Sequence, residues 1–138
     1  MVHALKHVHS MLQPEGLLVN VHDIPVQHVI EVHSAHSVIK AGWLLDSTGF
    51  DSERFAFNAL AQVVLDDYFE LVDEQDFIVN IHVDTMQELQ EWLTEQWETA
   101  VIPENTIQRV DNILRQVEKP ANIVLKVPTR MTKLRAIQ

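Results

Sequence analysis

The sequence predicts an α/β or α+β fold, and two observations lead to this expectation. First, apolar residues recur at helical spacing in some segments and form short extended runs in others, as in the switch from helix to strand before Leu17–Val21. Second, the 138 residues are 46% hydrophobic and 22% charged, without repeats or flexible linkers. We therefore expect residues 1–138 to form a single domain ordered helix, strand, hairpin, helix, strand, helix, helix, strand.

The composition excludes several classes of function. The chain has no cysteine, which removes disulfides, thiolate metal sites and cysteine nucleophiles. Its net charge of −10 argues against nucleic acid or an anionic membrane as a partner, since both need positive potential. No stretch approaches the ~20 apolar residues of a membrane span, and the first ten residues are too polar for the apolar part of a signal peptide. A cytoplasmic location is the simplest expectation.

The charges are unevenly distributed along the chain. Six acids and no bases lie in residues 66–76, whereas five bases and no acids follow Glu118. Two readings are open: the two groups form solvated faces that can pair within the fold, which we favour, or they provide complementary charges between subunits.

The first half of the chain has clear element boundaries. Residues 2–12 carry one apolar stripe and predict a helix, and Pro14-Glu15-Gly16 predicts the turn that ends it. Leu17–Val21 is almost wholly apolar, which predicts a strand buried on both faces in a parallel sheet. The segments 26–33 and 37–45 predict a hairpin closed by Ser34-Ala35-His36.

The second half repeats the alternation of helices and strands. Ser52 can cap a helix whose apolar face comprises Phe55, Ala59, Leu60 and Val63. Residues 68–83 read as extended with one buried face, formed by Phe77, Val79, Ile81 and Val83, and the acidic "DEQD" marks a bulge or turn. Thr85 and Glu88 form a capping box, and two helices follow. The last extended segments flank Pro128, which indicates an edge position or a bulge.

One region of the chain is similar to a known family. The stretch "ALKHVHSMLQPEGLLVNVHD" resembles the segment of class I S-adenosylmethionine-dependent methyltransferases in which a helix with "L-x-P-G-G" leads into the fifth strand; here Glu15 replaces the first glycine. The hairpin, the helix leading into "YFELVDEQDFIVNIHVD", an insert of two helices and the last strand "ANIVLKV" also resemble the C-terminal part of such enzymes. The resemblance implies an incomplete Rossmann-like half sheet with a β-hairpin and a two-helix insert.

The same resemblance bears on the cofactor. In that family, a glycine-rich loop and an acid at the end of the second strand hold S-adenosylmethionine, and both belong to the first half of the domain. This chain has three glycines and no G-x-G. We expect no cofactor-binding residues and no cofactor in this chain alone, with S-adenosylmethionine bound only if an N-terminal half completes it. The chain by itself is expected not to methylate any substrate.

Three residues are candidates for the substrate side of a site. His22 and Asp23 end the first strand, where ligands gather in open α/β sheets, and the resemblance implies a place near the methyl acceptor. The alternative is that both residues simply enter a polar loop before Pro25. Trp43, on the hairpin, is the third candidate as a pocket wall. No catalytic residue is assigned.

The eight histidines do not form a metal motif. His3 and His7 have a chelating i, i+4 spacing, and His33 and His36 flank the hairpin turn, but no third ligand follows from the sequence. A solvated helix face explains the first pair better, and no metal is expected.

The partner follows from the expected sheet. A first strand without its preceding neighbours has an unpaired edge, and such edges seek partners. We expect a homodimer, or a second chain that carries the cofactor-binding half. The alternative function is a non-catalytic dimeric interaction or scaffold module, and a small-ligand binder is a third option.

Overall fold

Four helices and six strands make up the chain in the computed structural model, which describes residues 1–138. The helices are α1 Val2–Met11, α2 Asp51–Leu65, α3 Met86–Gln96 and α4 Glu104–Gln116. The strands are β1 Leu17–Asp23, β2 His28–His33, β3 Val38–Asp46, β4 Phe69–Val83, β5 Ala100–Val101 and β6 Asn122–Ala136. The predicted α+β class is confirmed. None of the helices is both long and apolar enough to cross a membrane.

The six strands form a mostly antiparallel sheet around β6. Its order is β1-β6-β2-β3-β5, and β4 also pairs with β6. The side chain of Arg130 in β6 bonds that of Asp76 in β4, and Arg135 bonds Glu70. Residue numbers fall along β4 as they rise along β6, so the two strands are antiparallel. The two predicted extended segments around Pro128 are one strand. Pro128, which has no N–H to donate, lies between the part of β6 paired with β2 and the part paired with β1.

The prediction that Leu17–Val21 is buried on both faces in a parallel sheet is wrong. β1 runs antiparallel to β6, and its side chains alternate, with Leu17, Val19 and Val21 about half exposed. Apolar composition alone could not show which face is covered, since α2 contacts only one face of β1.

The chain divides into two compact units. Unit 1 comprises residues 1–25, 50–77 and 128–138, and its core includes Leu5, Leu60, Val63, Phe69 and Leu134. Two details of its helix α2 differ from prediction.

Helix α2 begins two residues earlier than predicted, and its apolar face is turned relative to the prediction. Ser52 is not the cap: Phe50 precedes the helix with a left-handed backbone (φ 64°), and no side chain caps it. Phe55 is 66% exposed, whereas Ala56 is buried with Ala59, Leu60 and Val63. Because Phe55 and Ala56 are adjacent, a small rotation of the predicted apolar face about the helix axis decides which of the two is assigned to the core.

Unit 2 comprises residues 26–49 and 78–127, and its core includes Ile30, Leu44, Leu89, Val110 and Leu125. The hairpin of β2 and β3 is confirmed, with Ser34 N–H donating to the Ser37 carbonyl. The predicted cap of α3 is confirmed at Thr85, whose hydroxyl accepts from the Glu88 amide. The Glu88 carboxylate accepts from the amide of Asp84, the residue before the cap, and not from that of Thr85. Helix α4 approaches β3 at Gly42, where a methyl group would lie 2.7 Å from Thr106 Cγ2.

Strand β4 is confirmed, but its predicted buried face is only partly correct. Ile81 and Val83 pack against the unit 2 core, whereas Phe77 and Val79 are exposed. The strand does not turn at "DEQD". It continues through this stretch from Phe69 to Val83.

Candidate functional site

His22 is half-buried on the side of β1 that faces α2 in unit 1. It lies opposite Arg130 in the β1–β6 ladder, and its ring meets the Phe57 ring of α2 edge-on at 6.4 Å between centroids. Its Nδ1 atom is covered and has no hydrogen-bond partner. Asn20 Nδ2 and the Thr132 hydroxyl, opposite each other on the same face, also lack partners. The face of the sheet beneath α2 therefore carries three buried polar atoms that lack hydrogen-bond partners.

Asp23 lies opposite Thr129 at the end of β1. Because successive residues of a strand point to opposite faces, its carboxyl is on the other side from the His22 ring. Burial raises the pKa of Asp23, and the nearby His22 partly offsets this. The predicted pair is thus adjacent in sequence, but the strand directs the two side chains apart.

Arg130 of β6 forms ion pairs with two carboxylates of β4 in unit 1. Its Nε and Nη2 atoms donate to the two carboxylate oxygens of Asp76 at 2.7 and 3.1 Å, and Glu74 lies 3.6 Å from Nε. These bonds raise the pKa of Arg130, and the Arg130 hydrogen bond holds the pKa of Asp76 below its ordinary value. The guanidinium also lies 5.5 Å from the centre of the Phe57 ring.

A groove of about 440 Å³ runs between α2 and the strands beside it. Its walls are mostly apolar: Phe57, Leu60, Ala61, Val64 and Leu65 from α2, with Leu71 and Leu134 from the strands. Three polar residues complete it, namely Glu74, Arg130 and Thr132. An apolar cleft of this size with a few polar groups is the usual form of a small-ligand site.

Trp43 belongs to unit 2 and takes part in a different surface. It is 42% exposed, and Lys40 Nζ lies 4.1 Å from its ring centre, within reach of a cation–π interaction. It lines a groove of about 260 Å³ whose polar lining includes Gln27, Asn105 and Arg109. The three predicted substrate-side residues are thus divided between the two units.

A polar network in unit 2 surrounds Asp46 at the end of β3. Its carboxylate accepts hydrogen bonds from the Thr48 hydroxyl and amide, and from the Thr99 hydroxyl and Trp97 Nε1, both at 2.7 Å. Although burial opposes it, this set lowers the pKa of Asp46 to about 2. The buried His28 ring packs edge-on against Trp97, and burial lowers the pKa of His28 to about 4. The network ties β3 to the segment after α3.

Three further histidines make pairwise side-chain contacts. His33 Nε2 lies 3.0 Å from Glu31, and its ring is 6.3 Å from that of His82, while His36 pairs with Glu118 at 3.1 Å. The structure contains no group of three or more His, Asp or Glu side chains arranged around a metal position.

The basic tail and acidic segment pair within the fold, as favoured from the sequence. Arg130 pairs with Asp76 and Glu74, and Arg135 with Glu70. Sequence reasoning nonetheless missed Arg130 and Thr132 as site residues. The two-residue period of "RMTKL" was the available signal, because it places Arg130, Thr132 and Leu134 on one face of a strand.

Three comparisons bear on the chain: with known protein families, with curated proteins and with solved structures. None of the three comparisons found a match.

Proposed function

We propose that this chain supplies the substrate-side half of a class I methyltransferase-like assembly and does not transfer methyl groups alone. The observation that carries the proposal is the free outer edge of β1, which pairs only with β6. In the resembled family, the cofactor-binding half precedes this strand. A partner carrying that half would add its strands to the open edge by ordinary backbone pairing.

The local structure of the resembling segment supports the proposal. A helix, a tight turn and a strand follow one another as "L-x-P-x-G" implies, with Glu15 in the left-handed region at φ 61°. A glycine is preferred at such a position, which is where the family has one. The elements after β1 also follow the order that the resemblance implies.

The chemistry explains why the chain alone would be inactive. Methyl transfer from a sulfonium is an in-line displacement, so catalysis requires the cofactor and acceptor to be held in register. The chain has no G-x-G loop that would let the backbone approach the cofactor. Two of its glycines serve internal packing: Gly16 lies against Leu12 and Gln13, and Gly42 against Thr106.

Two measurements test this proposal. Calorimetry of the purified, folded chain with S-adenosylmethionine should show no binding; tight binding would contradict it. Genomic sequence upstream of the Met1 codon should encode, in frame or as a neighbouring gene, a strand, a G-x-G loop and a second strand ending in an acid. A stop codon with no such segment nearby would argue for the second candidate.

The second candidate is a non-catalytic dimeric interaction module, and the exposure of β4 favours it. This strand also pairs only with β6, and its residues 70–80 are exposed, including Leu71, Val72 and Phe77. Long edge strands with exposed apolar side chains are uncommon in isolated proteins because they promote association.

Light scattering after size exclusion tests the second candidate with a matched pair of variants. Phe77→Glu places a charge on β4, whereas Phe55→Glu places the same charge on exposed α2. A dimer dissociated by Phe77→Glu and retained by Phe55→Glu would support the module. A monomeric parent chain at high concentration would rule it out.

A further inference from the structure

We propose that the groove beside α2 in unit 1 binds a small amine with an apolar body. This inference concerns a ligand of the chain itself and does not depend on the proposed function. It rests on the shape of the groove, on the balance of charge at its rim and on one buried hydroxyl.

The body of the ligand is set by the groove walls. Leu60, Val64 and Leu65 of α2 face Leu71 of β4 across a cleft of about 440 Å³. Leu65 and Leu71 are among the exposed large apolar residues of the chain, at 77% and 53%. An alkyl or aromatic body would remove this surface from water, which is the main favourable contribution to binding.

The head group is set by the charges that line or adjoin the groove. Arg130 carries one positive charge, but both oxygens of Asp76 already occupy its Nε and Nη2 atoms. Glu74 lines the groove and approaches Arg130 only to 3.6 Å. With two carboxylates and one guanidinium, the rim has an excess negative charge, so it favours a cation over a carboxylate.

The Thr132 hydroxyl provides the second polar anchor. Thr132 is 4% exposed and lines the groove, and its Oγ1 atom has no hydrogen-bond partner. An unsatisfied buried hydroxyl costs free energy that a bound donor would recover. An ammonium N–H can donate to Thr132 and to Glu74, and the Phe57 ring in the groove wall can also attract a cation.

The test is a titration of the ¹⁵N-labelled chain with three probes of equal length: n-octylammonium, n-octanol and n-octanoate. Octylammonium should shift the amide signals of Leu60, Val64, Leu71 and Thr132 and bind most tightly, with octanoate weakest. Equal affinity for the three probes, or shifts confined to other residues, would overturn the proposal.

A pair of charge variants isolates the role of the rim. Glu74→Gln should weaken octylammonium binding about three- to fivefold, as expected for a partly exposed ion pair, and leave octanol binding unchanged. Glu70→Gln, on the same strand but paired with Arg135, removes the same charge and should change neither affinity. An equal effect of both variants would mean that only net charge matters, and would refute the site. Burial of the groove in a self-associated chain, seen as probe binding that vanishes with rising protein concentration, would also refute it.

Discussion

His28 is a histidine that lies fully buried in unit 2. Its side chain has no exposed surface, although a protonated imidazole is strongly hydrated. Burial lowers its pKa from 6.5 to about 4, and the nearby Asp46 only partly opposes this effect. At neutral pH the ring is therefore an uncharged part of the unit 2 core, packed on Trp97.

A pH dependence of stability follows from the lowered pKa of His28. The unfolded chain binds a proton on this histidine below about pH 6.5, whereas the folded chain does not until about pH 4, so acid favours unfolding. The free energy of unfolding should be highest above pH 6.5, fall by about 3 kcal/mol between pH 6.5 and 4, and then level off for this group. Urea denaturation at half-unit pH steps measures it.

Two variants separate His28 from the other histidines. His28→Gln should lower stability at pH 7 but flatten the slope between pH 6.5 and 4. His36→Gln, whose side chain is 81% exposed, should leave both the stability and the slope nearly unchanged. A parent slope that survives in His28→Gln would assign the effect to another group.

At the scale of elements, the packing of α4 on β3 depends on Gly42. The missing side chain at this position lets the buried Thr106 of α4 approach the strand backbone. A small residue at a helix–strand contact thus sets how closely the two elements lie, and the hydrophobic pattern of either element alone does not reveal it.

Gly42→Ala should destabilise the chain by about 1–3 kcal/mol, because its methyl group would overlap the Thr106 hydroxyl and lie 2.7 Å from Cγ2. Thr106→Ala removes both clashing atoms. The double variant should therefore be less destabilised than the sum of the single variants, with a coupling of at least 0.5 kcal/mol. Additive free energies of unfolding, measured with urea, would show that the clash is relieved elsewhere.

The elements could be predicted from the sequence, whereas their faces often could not. Local sequence patterns located α1, the hairpin, β4 and the cap at Thr85, because these features depend on neighbours along the chain. The half-exposed face of β1 depends on which strands and helices lie beside it, which local pattern does not encode. For the site, the sequence offered His22 as a candidate, which stays a prediction. Arg130 could not be found in this way, because its significance depends on Glu74 and Asp76, which β4 brings beside it.

At the scale of the whole molecule, a net charge of −10 accompanies several exposed apolar strands. Leu17, Val19 and Val21 on β1 and Leu71 and Phe77 on β4 are exposed large apolar residues. Like charge on every copy opposes contact between such surfaces in solution.

Solubility should therefore have a minimum near pH 5.1, the isoelectric point of the sequence, where the repulsion vanishes. Static light scattering between pH 4 and 8 measures this minimum. Val19→Thr, which keeps the side-chain shape and the charge but removes apolar surface, should reduce scattering at the minimum. The control is Ser10→Thr, because Ser10 is an exposed polar residue of α1. This variant should leave the scattering at the minimum unchanged. Scattering that is independent of pH would contradict the role of charge.

The position of β6 has a consequence for the synthesis of the protein. β1, β2 and β4 all pair with this strand, yet it is the last of the six to be made. While a ribosome translates residues 17–121, β1 and β4 have no hydrogen-bonded partner strand, whereas β3 can already pair with β2 and β5, and the helices can form. The pairs that β6 forms with β1, β2 and β4 can assemble only after residues 122–136 emerge. Completion of the sheet is therefore a late step of folding. A chain that stalls before Asn122 would expose unpaired strands to chaperones and proteases, as expected for a fold dominated by contacts distant in sequence.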